Sequence, residues 1–135
     1  MKELSIDAEI KNIQTVTEFI NELLEAHNCN RKTQIQIDIA IDEIFSNIAR
    51  YAYAPGTGEV RITVEMAEKP KFVKIMFIDN GVPYNPLETA EPDITLSADE
   101  REIGGLGIYI VRKTMDDVIY EYKDGQNILS IVKNI

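Results

Sequence analysis

The sequence has no tryptophan, one cysteine, one histidine and only 7% aromatic residues. A single cysteine, Cys29, excludes an internal disulfide and fits a reducing cytoplasm. With His27 as its only companion, no Cys/His set at zinc spacing can be assembled, so both read as surface residues at a helix end. Basic residues are also scarce. There are 14 Lys+Arg against 23 Asp+Glu, a formal net charge of −9. That balance argues against direct binding of nucleic acid or of an anionic membrane, both of which need clustered Lys/Arg. No uncharged apolar run approaches the roughly 20 residues of a membrane span, and nothing at the N-terminus reads as a signal peptide. What remains is a chain of 135 residues, 44% hydrophobic and 27% charged. It is expected to form one domain over residues 1–135, located in the cytoplasm, with a core that needs neither disulfide nor structural metal.

Periodicity supplies the elements. Residues 2–8 read as a short strand. Ile10, Ile13, Val16, Phe19, Ile20, Leu23 and Leu24 recur at three- and four-residue steps, predicting a helix from Glu9 to about His27. From Arg31 to Tyr53 two patterns compete. Ile35, Ile37, Ile39 and Ile41 alternate as in a strand, whereas Ile37, Ile41, Ile44, Phe45 and Ile48 keep helical spacing. The length of this stretch, without Gly or Pro, favours a helix. Alternating, β-rich runs at Glu59–Met66 and Lys71–Asp79 predict an antiparallel hairpin, and Asp117–Lys123 and Asn127–Lys133, joined by Asp124-Gly125, predict another. Between them lie an irregular Pro-bearing segment, 80–103, and a glycine cluster that opens a helix running to about Met115. The order β-α-α-β-β-loop-α-β-β predicts a sheet with its helices on one face.

Three constellations could carry chemistry. Glu43 and Asn47 are four residues apart on a mostly apolar helix, so both project from one face, where buried polar groups need partners. Asp79-Asn80-Gly81 ends the most hydrophobic strand, which leaves a carboxylate at the mouth of the core and a glycine suited to close backbone approach or positive φ. Gly104-Gly105-Leu106-Gly107 opens a helix whose first N–H groups and dipole favour an anion. No GxxxxGK[ST] P-loop is present, the dinucleotide-binding fingerprint fails at Ile110, and the HRD and DFG motifs of eukaryotic-type kinases are missing.

Taken in order, these pieces are specific. E-x-x-x-N on a helix within DEIFSNIARYAY (42–53), then DNGVPYNPLE (79–88), then REIGGLGIYIVRKTMDDVIYEYKDGQNILSIVKNI (101–135) resemble the histidine-kinase-like (Bergerat-fold) ATPase family. Within it, the chain is similar to the bacterial anti-sigma factor serine kinases. The resemblance implies an α+β fold, a two-layer sandwich with a mostly antiparallel mixed sheet and helices on one face. It implies that Asn47 coordinates Mg²⁺, that Asp79 binds the adenine amino group of ATP and that Gly81 lets the base approach. Gly104, Gly105, Leu106 and Gly107 would present backbone amides to the phosphates, Arg101 would neutralise phosphate charge, and Glu43 would be the general base. Residues 82–103 would be the ATP lid. The pattern departs from the commonest one at Tyr51, where many relatives carry His. The implied partners are a sigma factor and a STAS-domain anti-anti-sigma protein, with a homodimer as the implied assembly. A nucleotide-dependent switch without phosphotransfer is the alternative reading, and a histidine-kinase catalytic domain acting on a separate protein is a weaker third.

Overall fold

The computed structural model describes residues 1–88 and 105–135. Strand β1 (Lys2–Asp7) leads through a short 3-10 turn into helix α1 (Ile13–Ala26), and α2 (Arg31–Asn47) comes next. Strands β2 (Glu59–Glu68) and β3 (Lys71–Asp79) form the first hairpin. A 3-10 turn at Pro86–Glu88, helix α3 (Gly105–Thr114) and the hairpin β4 (Asp117–Lys123) with β5 (Gln126–Asn134) complete the described elements. The strands lie in the order β1-β2-β3-β5-β4, and every neighbouring pair is antiparallel. The α+β architecture expected from the sequence is present, with a purely antiparallel sheet in place of a mixed one among the described residues.

Side-chain alternation turns one face of the sheet toward the helices. Cross-strand rows run Val64–Ile75–Ile131 and Ile62–Phe77–Leu129. These pack in one cluster with Val16, Ile20 and Leu24 of α1, with Ile37, Ile41, Ile44 and Phe45 of α2, and with Val111 of α3. Burial of such side chains, at roughly 1.5–3 kcal/mol each, is the main force holding the two layers together. The next inward row changes character: Val60 is followed by Asp79 and, directly opposite it on β5, by Asn127. Hydrophobic packing therefore ends in a polar pair at this edge of the core.

The conflict in the α2 sequence resolves as a helix. Ile37, Ile41 and Ile44 are buried, whereas Ile35 and Ile39 are 43% and 47% exposed. The apparent strand alternation arises because two isoleucines point outward. Asn30 starts the helix by accepting from the Thr33 backbone N–H at 2.8 Å, a cap worth about 1 kcal/mol. Asn28, at φ 58°, takes the left-handed conformation that ends α1.

The C-terminal end of α2 widens into a π-helical turn, Ile48–Ala52. Turns of this kind recur at functional sites because they re-aim backbone groups. Here the Ala52 carbonyl accepts from the Val82 N–H at 2.9 Å. The Tyr53 hydroxyl donates to the Glu59 carbonyl and accepts from the Asn80 N–H at 2.8 Å. Two contacts thus stitch the end of α2 to the turn after β3. Gly81 is what lets them close, since a Cβ there would strike the Ala52 carbonyl and side chain. Gly81 is absent from the positive-φ positions. Of the two reasons for a glycine read from the sequence, close approach is the one that operates, and the backbone approached is that of Ala52. Gly81→Ala is accordingly expected to destabilise the fold by about 1–3 kcal/mol, the usual cost of forcing atoms into packed space. Urea denaturation of the two proteins would check this.

Candidate functional site

Where the apolar rows give way to Asp79 and Asn127, the layers border an open cavity of about 460 Å³, a volume that includes space open to solvent. Ile44, Phe77, Ile108 and Leu129 supply apolar walls, and Asn47, Asp79 and Asn127 supply the polar groups. Tyr51 and Tyr84 also line it and are about half exposed. An apolar slot with a few placed polar groups suits a flat heteroaromatic ligand.

Asp79 is 4% exposed. Its Oδ1 accepts from the Gly81 N–H at 2.9 Å and from the Asn127 Nδ2 at 2.9 Å. Both bonds fall on one oxygen, so Oδ2 is left without a hydrogen bond among the described residues. Burial pushes up the pKa of the hydroxyls of Tyr53 and Tyr120, and the Asp79 charge nearby pushes both the same way. The carboxylate is held by N–H dipoles, with no ion pair from the described residues.

Across the cavity, Asn47 and Glu43 sit one turn apart on α2. Asn47 Nδ2 donates to Glu43 Oε1 at 3.2 Å, which leaves the Asn47 Oδ1 available. The Glu43 carboxylate lies against Gly107 of α3, where any Cβ would collide with it. Gly107 is therefore required for Glu43 to occupy this position. Gly105, Leu106 and Gly107 form the first turn of α3, whose N–H groups have no acceptor within the helix. Glu43, Asn47 and Gly107 are thus brought together beside the cavity, and Asp79 and Asn47 share it. Arg101, Gly104 and residues 89–103 of the expected lid lie outside the described residues. Of that segment, 82–88 is described, and Val82, Tyr84 and Pro86 line the cavity.

An oxygen-seeking cation such as Mg²⁺ fits this donor set. The Asn47 amide is turned so that its nitrogen is spent on Glu43 and its oxygen is free. Glu43 adds a carboxylate one turn away.

Asn127 and Tyr120 are functional candidates that the sequence pattern does not yield. Sequence alone reads Tyr120, with Tyr109 and Tyr122, as a core or strand residue. It is a strand residue that also lines the cavity, and its hydroxyl donates to Asn127 Oδ1. Both residues occupy inward-facing strand positions, where a polar group signals a partner. Asn127 in the alternating run Asn127, Leu129, Ile131 is the visible sign.

Residues 6–133 match the family model described as the histidine kinase-like ATPase domain. The serine/threonine-protein kinase BtrW of Bordetella bronchiseptica is 26% identical over 104 residues, covering 76% of this chain and 72% of that protein. The serine-protein kinase RsbW of Bacillus mycoides is 32% identical over 95 residues, covering 67% of this chain and 58% of the relative's length. Among solved structures, the SiaB-SiaC complex of Pseudomonas aeruginosa contains a chain that superposes with a TM-score of 0.56 at 15% identity. That match covers 98% of this chain and 89% of the other, a likeness of fold. On the family match and the site geometry together, the chain belongs to the histidine kinase-like ATPase domain family.

Proposed function

We propose that this chain binds Mg-ATP in the cavity between Asp79 and Asn47 and acts as a serine/threonine protein kinase of the anti-sigma regulatory type. The observation that carries the reading is that Asp79 and Asn47 line one cavity while Glu43, bonded to Asn47, lies against Gly107 at the start of α3. The similarity to BtrW and RsbW, both named as protein kinases, supports the catalytic part. The protein substrate in this reading is a STAS-domain anti-anti-sigma partner, and the protein held inactive is a sigma factor. A homodimer and a cytoplasmic location belong to the same proposal. Among the described residues, no helix is long and apolar enough to cross a membrane.

Each residue has a distinct task in this reading. The unpaired Asp79 Oδ2 accepts from the exocyclic amine of adenine, and the base lies between Ile44, Phe77 and Leu129. Gly105, Leu106 and Gly107 offer backbone N–H groups to the phosphates at the positive end of the α3 dipole. Asn47 Oδ1 would hold Mg²⁺, and Glu43 stands beside it. When bound, Mg²⁺ offsets phosphate charge, which matters for a chain with a net charge of −9. Glu43 takes the proton of the substrate serine as its oxygen bonds to the γ-phosphorus and the bond from that phosphorus to the ADP oxygen breaks. The Asn47 N–H on Oε1 fixes the carboxylate and leaves its second oxygen for that proton.

Two outcomes test this assignment. Titration calorimetry should show ATP affinity that falls when Mg²⁺ is chelated, and Asn47→Ala should lose that dependence. Equal affinity with and without chelator in the unaltered protein would count against the site. Glu43→Gln should bind Mg-ATP as well as the parent, yet transfer radiolabelled phosphate to the STAS partner at least ~100-fold more slowly, the lower end for a general base. Equal transfer rates would reject Glu43 as the base, and no transfer by either protein would favour a nucleotide switch.

A further inference from the structure

We propose that Asn127 is the positioning residue that sets base selectivity in the cavity, by fixing Asp79 as an acceptor and presenting its free oxygen to the ligand. This rests on the nucleotide reading of the site. Asn127 is 6% exposed and comes from β5, outside the short motifs that hold Glu43, Asn47, Asp79 and Gly107. Its Nδ2 donates to Asp79 Oδ1 at 2.9 Å, to the Val82 carbonyl at 2.9 Å and, more weakly, to the Gly81 carbonyl at 3.4 Å. Its Oδ1 accepts from the Tyr84 N–H at 3.2 Å and from the Tyr120 hydroxyl.

The network has only one self-consistent arrangement. A backbone N–H can donate but never accept, so the atom of Asn127 facing Tyr84 must be the oxygen. The amide nitrogen is then forced toward Asp79. On Asp79 the other neighbour of Oδ1 is again a backbone N–H, that of Gly81. Oδ1 therefore meets two N–H donors, and the carboxylate cannot turn about its side-chain bond without breaking both. As part of the carboxylate, the oxygen left for a ligand is an acceptor held in a fixed direction. It pairs with an exocyclic amine and leaves a carbonyl at the same ring position unpaired, which is the sharp form of discrimination.

Without Asn127 this constraint is lost. Asp79 would keep one donor, the Gly81 N–H, and could turn about its side-chain bond, so Oδ2 would no longer be held toward the ligand. The same loss frees the Val82 carbonyl and the Tyr84 N–H, so residues 82 and 84 lose their ties to β5, while Gln126 Nε2 still donates to Asn80 Oδ1 at 3.2 Å. The consequence falls on the choice of base, while the phosphate end, built from α2 and α3, is untouched.

The test compares Mg-ATP with Mg-ITP, which differ in the amine or carbonyl at one ring position, by titration calorimetry on the full chain. Thermal melts would accompany each variant. The unaltered protein should prefer ATP, and Asn127→Ala should reduce the ratio of the two dissociation constants at least about tenfold, as expected for one charge-assisted hydrogen bond. ITP binding should change much less. A general loss of structure would weaken both ligands together and leave the ratio where it was. Should Asn127→Ala fail to melt cooperatively, Asn127→Asp decides, because it keeps an oxygen for the Tyr84 N–H and removes the N–H donor to Asp79; the ratio should still fall. A folded variant with the parent's ratio would overturn the role of Asn127. An unaltered protein that binds neither nucleotide, or does not prefer ATP, would overturn the nucleotide reading and this inference with it.

Discussion

A buried carboxylate without a cation among the described residues is the constraint around which this end of the molecule is arranged. Asp79 takes an inward-facing position that, by strand alternation, belongs to the core, in line with Phe77 and Ile75. Burying a charge there is costly unless hydrogen bonds replace its water. The Gly81 N–H and the Asn127 amide supply them from two different elements. Both act on one oxygen. That asymmetry leaves the second oxygen without a hydrogen bond from the described residues, and this is the oxygen that the proposed base recognition uses.

The rest of the site depends on how α2 is tied to this carboxylate. The wide turn at Ile48–Ala52 brings the Ala52 carbonyl onto the backbone of residues 81 and 82. Tyr53 holds the neighbouring Asn80 N–H. With the end of α2 fixed in this way, Asn47 faces the same cavity as Asp79. One turn earlier, Glu43 meets Gly107, so the start of α3 can approach only because that residue lacks a side chain. Two glycines serve two different close approaches, one of backbone to backbone and one of backbone to carboxylate.

Much of this is legible in the sequence because it is local. The bounds expected for β3 and β4, Lys71–Asp79 and Asp117–Lys123, are those observed, since alternation and turn residues mark them without tertiary help. Glu43, Asn47, Asp79 and Gly107 stand in short motifs whose spacing carries information. The outward Ile35 and Ile39 blur the helical signal of α2, and only length decides it. The role of Asn127 is not legible, because its partner Asp79 lies 48 residues away and the pairing depends on the β3–β5 register. Likewise, the sequence shows that residue 81 is a glycine but not that Ala52 is what approaches it.

The central claim is that one cavity binds the base at Asp79 and the metal–phosphate end at Asn47 and α3. The most direct measurement is a crystal structure of the chain with Mg²⁺ and a non-hydrolysable ATP analogue. The expected result places the exocyclic amine within hydrogen-bond distance of Asp79 Oδ2, Mg²⁺ on Asn47 Oδ1, and phosphate oxygens at the N–H groups of Gly105–Gly107. A nucleotide bound outside this cavity, or one whose base lies away from Asp79 with the metal held by other residues, would contradict it.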